Sequence, residues 1–136
     1  MCRYADVQMS RCANGGKFKK MSDKPNLIVD LTFSFSLKII SFTEKLELEK
    51  KFNMANQLFK SGTSIGANVR EAQGAESKGD FRHKCKVAYK EAEETEYWLK
   101  LCQHSENYPF EKDMMDDVES IMKILGKIIS STHIKQ

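Results

Sequence analysis

Residues 81–102, FRHKCKVAYKEAEETEYWLKLC, decide the fold. Phe81, Cys85, Ala88, Ala92, Thr95, Leu99 and Cys102 recur at steps of four, three, four, three, four and three. An α-helix turns 100° per residue, so these steps keep all of them on one stripe, whereas the period of two in a strand would scatter them over both faces. The positions between them are mostly Lys, Arg and Glu. A helix that is apolar on one side only has to bury that side against other elements.

The flanking sequence supplies those elements. This helix starts after Gly79 with Asp80 as its candidate N-cap. It ends in the loop HSENYPF, residues 104–110, punctuated by Asn107 and Pro109. Beyond the loop, Met114, Val118, Ile121, Leu125, Ile128 and Thr132 repeat the same spacing. Upstream, residues 53–75 form a helix with Ala55, Leu58, Phe59, Ile65, Val69 and Ala72 on its apolar side, and Gly62 and Gly66 fall on that side too.

The first helix opens near Pro25, since proline is tolerated in a first turn, and runs to about Lys50. Its stripe is Ile28, Leu31, Phe35, Ile39, Phe42 and Leu46, widened by Phe33, Leu37 and Ile40. LTFSFSLK, residues 31–38, alternates as a strand would, but steps of three and four sustained to residue 46 outrun a strand of ordinary length. The expected fold is all-α: an antiparallel up-and-down four-helix bundle over residues 24–136. Residues 1–23, ending in NGGKFKKMSD, have no period and read as a flexible, disordered basic tail.

Bulk properties agree with one globular domain. The chain has 136 residues, 40% of them hydrophobic and 30% charged. Its net charge of +3 is a property of the tail, because residues 1–20 hold Arg3, Arg11, Lys17, Lys19 and Lys20 against Asp6 alone. Any affinity of the bundle for a polyanion therefore has to come from a local patch. Cys2 and Cys12 fall in the tail while Cys85 and Cys102 fall at apolar helix positions, which reads as reduced cytoplasmic thiols and not as a disulfide framework. The N-terminal stretch lacks the apolar core of a secretory signal, and no run approaches the roughly 18 apolar residues of a membrane span. A cytoplasmic protein is expected, with no membrane partner.

Chemistry-bearing constellations are few. HKC, residues 83–85, and CQH, residues 102–104, mirror each other, but neighbours two apart point to different sides of a helix. The 17 residues between the cysteines span about 26 Å, too far for one zinc ion. A di-iron bundle needs two inward Glu-x-x-His pairs; only DFRH, residues 80–83, comes near. Nothing marks a nucleophile with its base. SGTSIGAN, residues 61–68, lacks the Gly-Lys-Ser/Thr ending of a phosphate loop and no strand precedes it. No catalytic residue, metal or cofactor is expected, and the protein reads as a non-enzyme.

Three sets of residues do stand out. Ser61, Gly62, Ile65, Gly66 and Asn68 form a small-residue seam on the apolar side of the second helix, where missing side chains let a neighbouring helix come close. Arg70, Lys78, Arg82, Lys86 and Lys90 make a basic ridge on the side away from the core. That ridge is either a phosphate-binding face or a solvated one offset by Glu93 and Glu94, with Lys90 and Glu94 as an i,i+4 pair. Lys84, Val87, Glu91, Glu94 and Trp98 mix charge with a large aromatic beside the core stripe; the surface suits self-association, unless Trp98 packs under a loop of its own chain.

Two blocks, QLFKSGTSIGANVREAQGAESKGDF at 57–81 and KVAYKEAEETEYWLKL at 86–101, resemble the signature of bacterial four-helix bundle proteins encoded within intervening sequences of 23S ribosomal RNA genes. That group is sometimes labelled a ribosomal protein family. The same blocks are similar to the accessory variability protein of diversity-generating retroelements. The resemblance covers about residues 25–134 and leaves out the N-terminal 20.

It implies an antiparallel bundle assembled into a ring-like homopentamer without established catalytic activity. In the retroelement relatives, the basic surface of the ring binds nucleic acid and the reverse transcriptase. By position, Ser61, Gly62, Thr63, Ser64, Ile65, Gly66, Ala67, Asn68, Glu71 and Ala72 match the first block, and Lys84, Ala88, Lys90, Glu91, Ala92, Thr95, Tyr97, Trp98 and Leu99 match the second. Cys102 stands where a second Leu is more usual. The expectation is a non-catalytic, oligomeric protein that engages RNA or DNA through the basic ridge. The alternative is a scaffold that binds a protein partner, such as a reverse transcriptase, without touching nucleic acid.

Overall fold

A computed structural model describes residues 26–133 as α1 (Leu27–Leu48), α2 (Phe52–Ala72), α3 (Lys78–His104) and α4 (Lys112–Ser131). The expected tail over 1–23, and Pro25 as a helix start, lie outside the described residues. Among the described residues there is no strand, so the alternation in LTFSFSLK belongs to α1. Each helix packs on its neighbours in chain order, and α1 closes the ring against α4. Among the described residues no helix is long and apolar enough to cross a membrane.

Local chemistry sets the helix ends. Asn26 caps α1, its Oδ1 accepting from the Val29 amide at 3.4 Å, while its Nδ2 donates to Gln73 Oε1 just past α2 at 3.1 Å. α1 stops in a Schellman turn: the Lys51 amide donates to Leu46 O at 2.8 Å and the Lys50 amide to Glu47 O at 2.9 Å. This turn puts Lys50 at φ 64°, a left-handed position usually held by glycine. The α3 cap is Ser77, not Asp80. Ser77 Oγ accepts from the Asp80 amide at 3.0 Å and Asp80 reaches back to the Glu76 amide at 3.4 Å, so Asp80 is the third-residue partner of a capping-box-like turn.

The core follows the three-four spacing closely on α3, where Cys85, Ala88, Ala92, Thr95, Leu99 and Cys102 are all buried. Met114, Val118, Ile121 and Leu125 do the same on α4. On α1 the stripe is Ile28, Phe35, Ile39, Phe42 and Leu46, joined by Thr32 and Thr43; Leu31 is only half-buried. Threonine can sit there because its hydroxyl bonds within its own helix, as Thr32 does to Ile28 O at 2.8 Å.

Both glycines of the expected seam lie against α1. Gly62 is buried, and a Cβ built there would lie 2.6 Å from Cδ1 and Cγ1 of Ile39 on α1. At Gly66 a Cβ would lie 3.3 Å from the Thr32 carbonyl oxygen, which means that the two backbones themselves approach. Ser61 faces α3, where it shares a buried hydroxyl contact of 2.9 Å with Thr95, whose hydroxyl also lies 2.8 Å from Glu91 O. Asn68 is half-buried and donates to Ser64 O at 2.9 Å on its own helix.

Candidate functional site

The outer face of α3 is the candidate. Lys86 and Lys90 are exposed on it, Lys78 is exposed at the first residue of the helix about 120° round from Lys90, and no carboxylate lies within ion-pair distance of any of the three among the described residues. The lysines at helix seams behave differently. Lys38 reaches Asp117 at 2.6 Å and Asp113 at 3.3 Å across the α1–α4 seam, and Lys45 pairs with Glu111. The Asp117 hydrogen bond is the main reason the Lys38 ammonium is held above its ordinary pKa. Seam lysines are matched to carboxylates; outer α3 lysines are not.

The expected Lys90–Glu94 pair does not form. Glu94 instead accepts the indole N–H of Trp98 at 3.1 Å, one turn along. Arg82 leaves the ridge as well: it is half-buried, and its Nε donates to the Ile129 carbonyl near the end of α4 at 3.2 Å. A guanidinium on the last carbonyls of a helix is a favourable C-terminal interaction, so Arg82 ties α3 to α4. Arg70 is exposed but sits on α2, lining a groove of about 260 Å³ with Val29, Thr32, Phe33, Ser36, Gly66 and Ala67. The structure thus keeps Lys78, Lys86 and Lys90 together on one helix, and assigns Arg82 and Arg70 to other surroundings.

The residues expected to form an oligomer surface are largely occupied within the chain. Lys84 pairs with Glu71 of α2 at 3.0 Å. Val87 is half-buried. The Glu91 carboxyl is half-buried and pushed above the usual range, first by burial and then by the charge of Glu94. Trp98 packs partly against the core, with the Tyr97 ring 5.3 Å away at a 60° tilt.

Large apolar side chains surface elsewhere. Phe33, Leu37, Ile40, Phe52 and Phe59, all on α1 and α2, are between 39% and 55% exposed. Sequence spacing places Phe33, Leu37, Ile40 and Phe59 in the core, and the structure corrects this. At 100° per residue Phe33, Leu37 and Ile40 stand roughly 110–170° round from the centre of the buried α1 stripe, and Phe59 roughly 100° from that of α2, so all four face outward. A separate exposed aromatic, Tyr97, stands on α3.

Cys85 and Cys102 are buried free thiols, and burial pushes the Cys102 thiol up to about 11. Both are protonated and unreactive at neutral pH. Among the described residues no group of three His, Cys, Asp or Glu side chains is arranged to hold a metal ion.

Comparison with known proteins adds the following. Residues 24–131 match the family described as 23S rRNA-intervening sequence protein. A crystal structure from Bacteroides thetaiotaomicron, of a protein with unknown function from the S23 ribosomal protein family, is similar at 42% identity and a TM-score of 0.71. The likeness covers 75% of this chain and 97% of that one. No curated protein matches the chain.

Proposed function

The chain belongs to the 23S rRNA-intervening sequence protein family, and from that premise we propose a non-catalytic, self-assembling bundle that binds nucleic acid through the outer face of α3. The observation that carries this reading is the contrast among the lysines. Lys78, Lys86 and Lys90 stand exposed without a carboxylate, while the lysines at the seams are paired. Glu94, the acid best spaced to neutralise Lys90, is held by Trp98. Ammonium groups on one rigid helix with no direct ion pair suit phosphate oxygens, which fix position without reading sequence.

Assembly is part of the same reading, and the exposed apolar strip of α1 and α2 suits it better than the Trp98 surface does. Several large apolar side chains exposed on adjacent helices suit a contact site, and burying them leaves α3 outward. A ring, a pentamer in the form the resemblance implies, would then present several α3 faces to one strand and raise affinity through effective concentration. The assembly would work in the cytoplasm, where its two buried thiols stay reduced.

Titration of labelled RNA across a salt series tests the nucleic-acid reading. Each protomer that places Lys78, Lys86 and Lys90 on three phosphates gives a slope of log K against log salt of about −2 for a single strand. The Lys86→Glu, Lys90→Glu double variant should flatten that slope and abolish binding at moderate salt. No shift of RNA or DNA at low salt would sink the reading and leave a scaffold for a protein partner, such as a reverse transcriptase. Light scattering that returns a 15.6 kDa particle at micromolar concentration would refute assembly.

A further inference from the structure

We infer that Tyr97 is a base-stacking position that makes the α3 face selective for single-stranded over duplex nucleic acid, an inference that rests on the phosphate-binding reading of Lys86 and Lys90. Tyr97 lies seven residues beyond Lys90 and eleven beyond Lys86. Those separations are about 20° from two and three full helical turns, so the three side chains share one line along α3. Tyr97 sits about 10 Å along the axis from Lys90 and about 16 Å from Lys86. Exposed Lys100 follows one turn later.

The ring is both open and braced. Tyr97 is 57% exposed, and its hydroxyl has no hydrogen-bond partner among the described residues. Its neighbour Trp98 is anchored against the core and by its indole N–H to Glu94, and supports the Tyr97 ring from one side at a 60° tilt. A ring held in this way loses little freedom when a base stacks on it. The other large exposed side chains belong to α1 and α2, so Tyr97 is set apart from that strip.

Charge on the same face explains the selectivity. Glu93 and Glu94 occupy the turn between Lys90 and Tyr97, and both are exposed. Phosphates are repelled there, whereas an uncharged base is not. A single strand can keep its phosphates on Lys86 and Lys90 and turn a base onto Tyr97, since every base offers a π-face. A duplex holds its bases inside and would carry phosphates across Glu93 and Glu94.

Fluorescence anisotropy with a labelled oligouridine of about 20 nucleotides, and with an RNA duplex of matching length, tests this at low salt. Wild type should bind the single strand more tightly than the duplex. Tyr97→Ala should weaken single-strand binding about 5- to 100-fold with an unchanged salt slope, and Tyr97→Phe should restore it. Duplex binding should not move. If Tyr97→Ala leaves single-strand affinity unchanged, or lowers both affinities equally, stacking is overturned while the lysine reading stands. If it changes the particle mass by light scattering, Tyr97 belongs to a protein contact and the inference fails. If wild type binds neither probe, the lysine reading fails first and this one with it.

Discussion

Replacing Gly62 by alanine adds one methyl group at the most confined point of the α1–α2 seam, and two opposing terms decide the outcome. Alanine favours the helix by about 0.8–1.0 kcal/mol over glycine. Against that, the new Cβ would lie 2.6 Å from Cδ1 and Cγ1 of Ile39 and 3.0 Å from its Cγ2. Ile39 is fully buried and stiff at χ1, so it cannot swing all of these atoms clear without disturbing Phe35, Phe42 and the core around them. Overpacking of this kind costs about 1–3 kcal/mol.

The net expectation is a loss of about 1 kcal/mol, or about 4 °C in the thermal midpoint at fixed protein concentration. In an Ile39→Ala background the obstruction is gone, and Gly62→Ala should stabilise by its helix propensity of about 1 kcal/mol. The double-mutant cycle, followed by circular dichroism in urea, should therefore give a coupling of about 2 kcal/mol. A wild-type background in which Gly62→Ala raises the midpoint, or a coupling near zero, would refute the packing argument.

Three further outcomes follow from the same structure. Lys50→Gly should raise stability by about 1 kcal/mol in urea melts, because it relieves the left-handed backbone at φ 64° that the Schellman turn imposes. Thr95→Val should cost about 1–3 kcal/mol by leaving the Ser61 hydroxyl buried without its partner, and adding Ser61→Ala should recover most of that loss. Glu91 has a raised folded-state pKa, so its proton stabilises the fold at low pH and that contribution is lost as pH rises through the raised value. Glu91→Gln should accordingly melt higher than wild type at pH 7, with the gap closing on acidification below the ordinary carboxylate range; a gap that persists in acid would exclude the charge as its cause.

The bundle was legible in the sequence because helix periodicity is a one-dimensional signal. Every α3 position picked by spacing from Cys85 to Cys102 is buried. Too wide a stripe misplaces its neighbours: Phe59 and Ile40 are as apolar as Leu58 and Ile39, but each stands one residue, about 100°, further round its helix and faces outward. Polar residues mislead in the opposite direction, since Thr32 enters the core by satisfying its hydroxyl at Ile28 O. The cap went to Ser77 because either Ser77 or Asp80 could open α3, and only the backbone shows which side chain accepts from which amide. At the candidate site the shared outward face of Lys86 and Lys90 was legible from their spacing, whereas Lys78 stands about 120° round from Lys90. The departure of Arg82 to an α4 carbonyl and the capture of Glu94 by Trp98 were not, because both depend on partners that spacing alone does not select.

The narrow contact between Gly66 and the Thr32 carbonyl lies beside exposed Phe33. Phe33 lines the groove beside that contact and, like Phe59 further along, stays exposed because its wheel position turns it away from the core. α1 and α2 thus combine a tight inner seam with an apolar outer flank. Under the assembly proposed above, a chain with that flank uncovered is the aggregation-prone form, and conditions that favour assembly should also favour solubility.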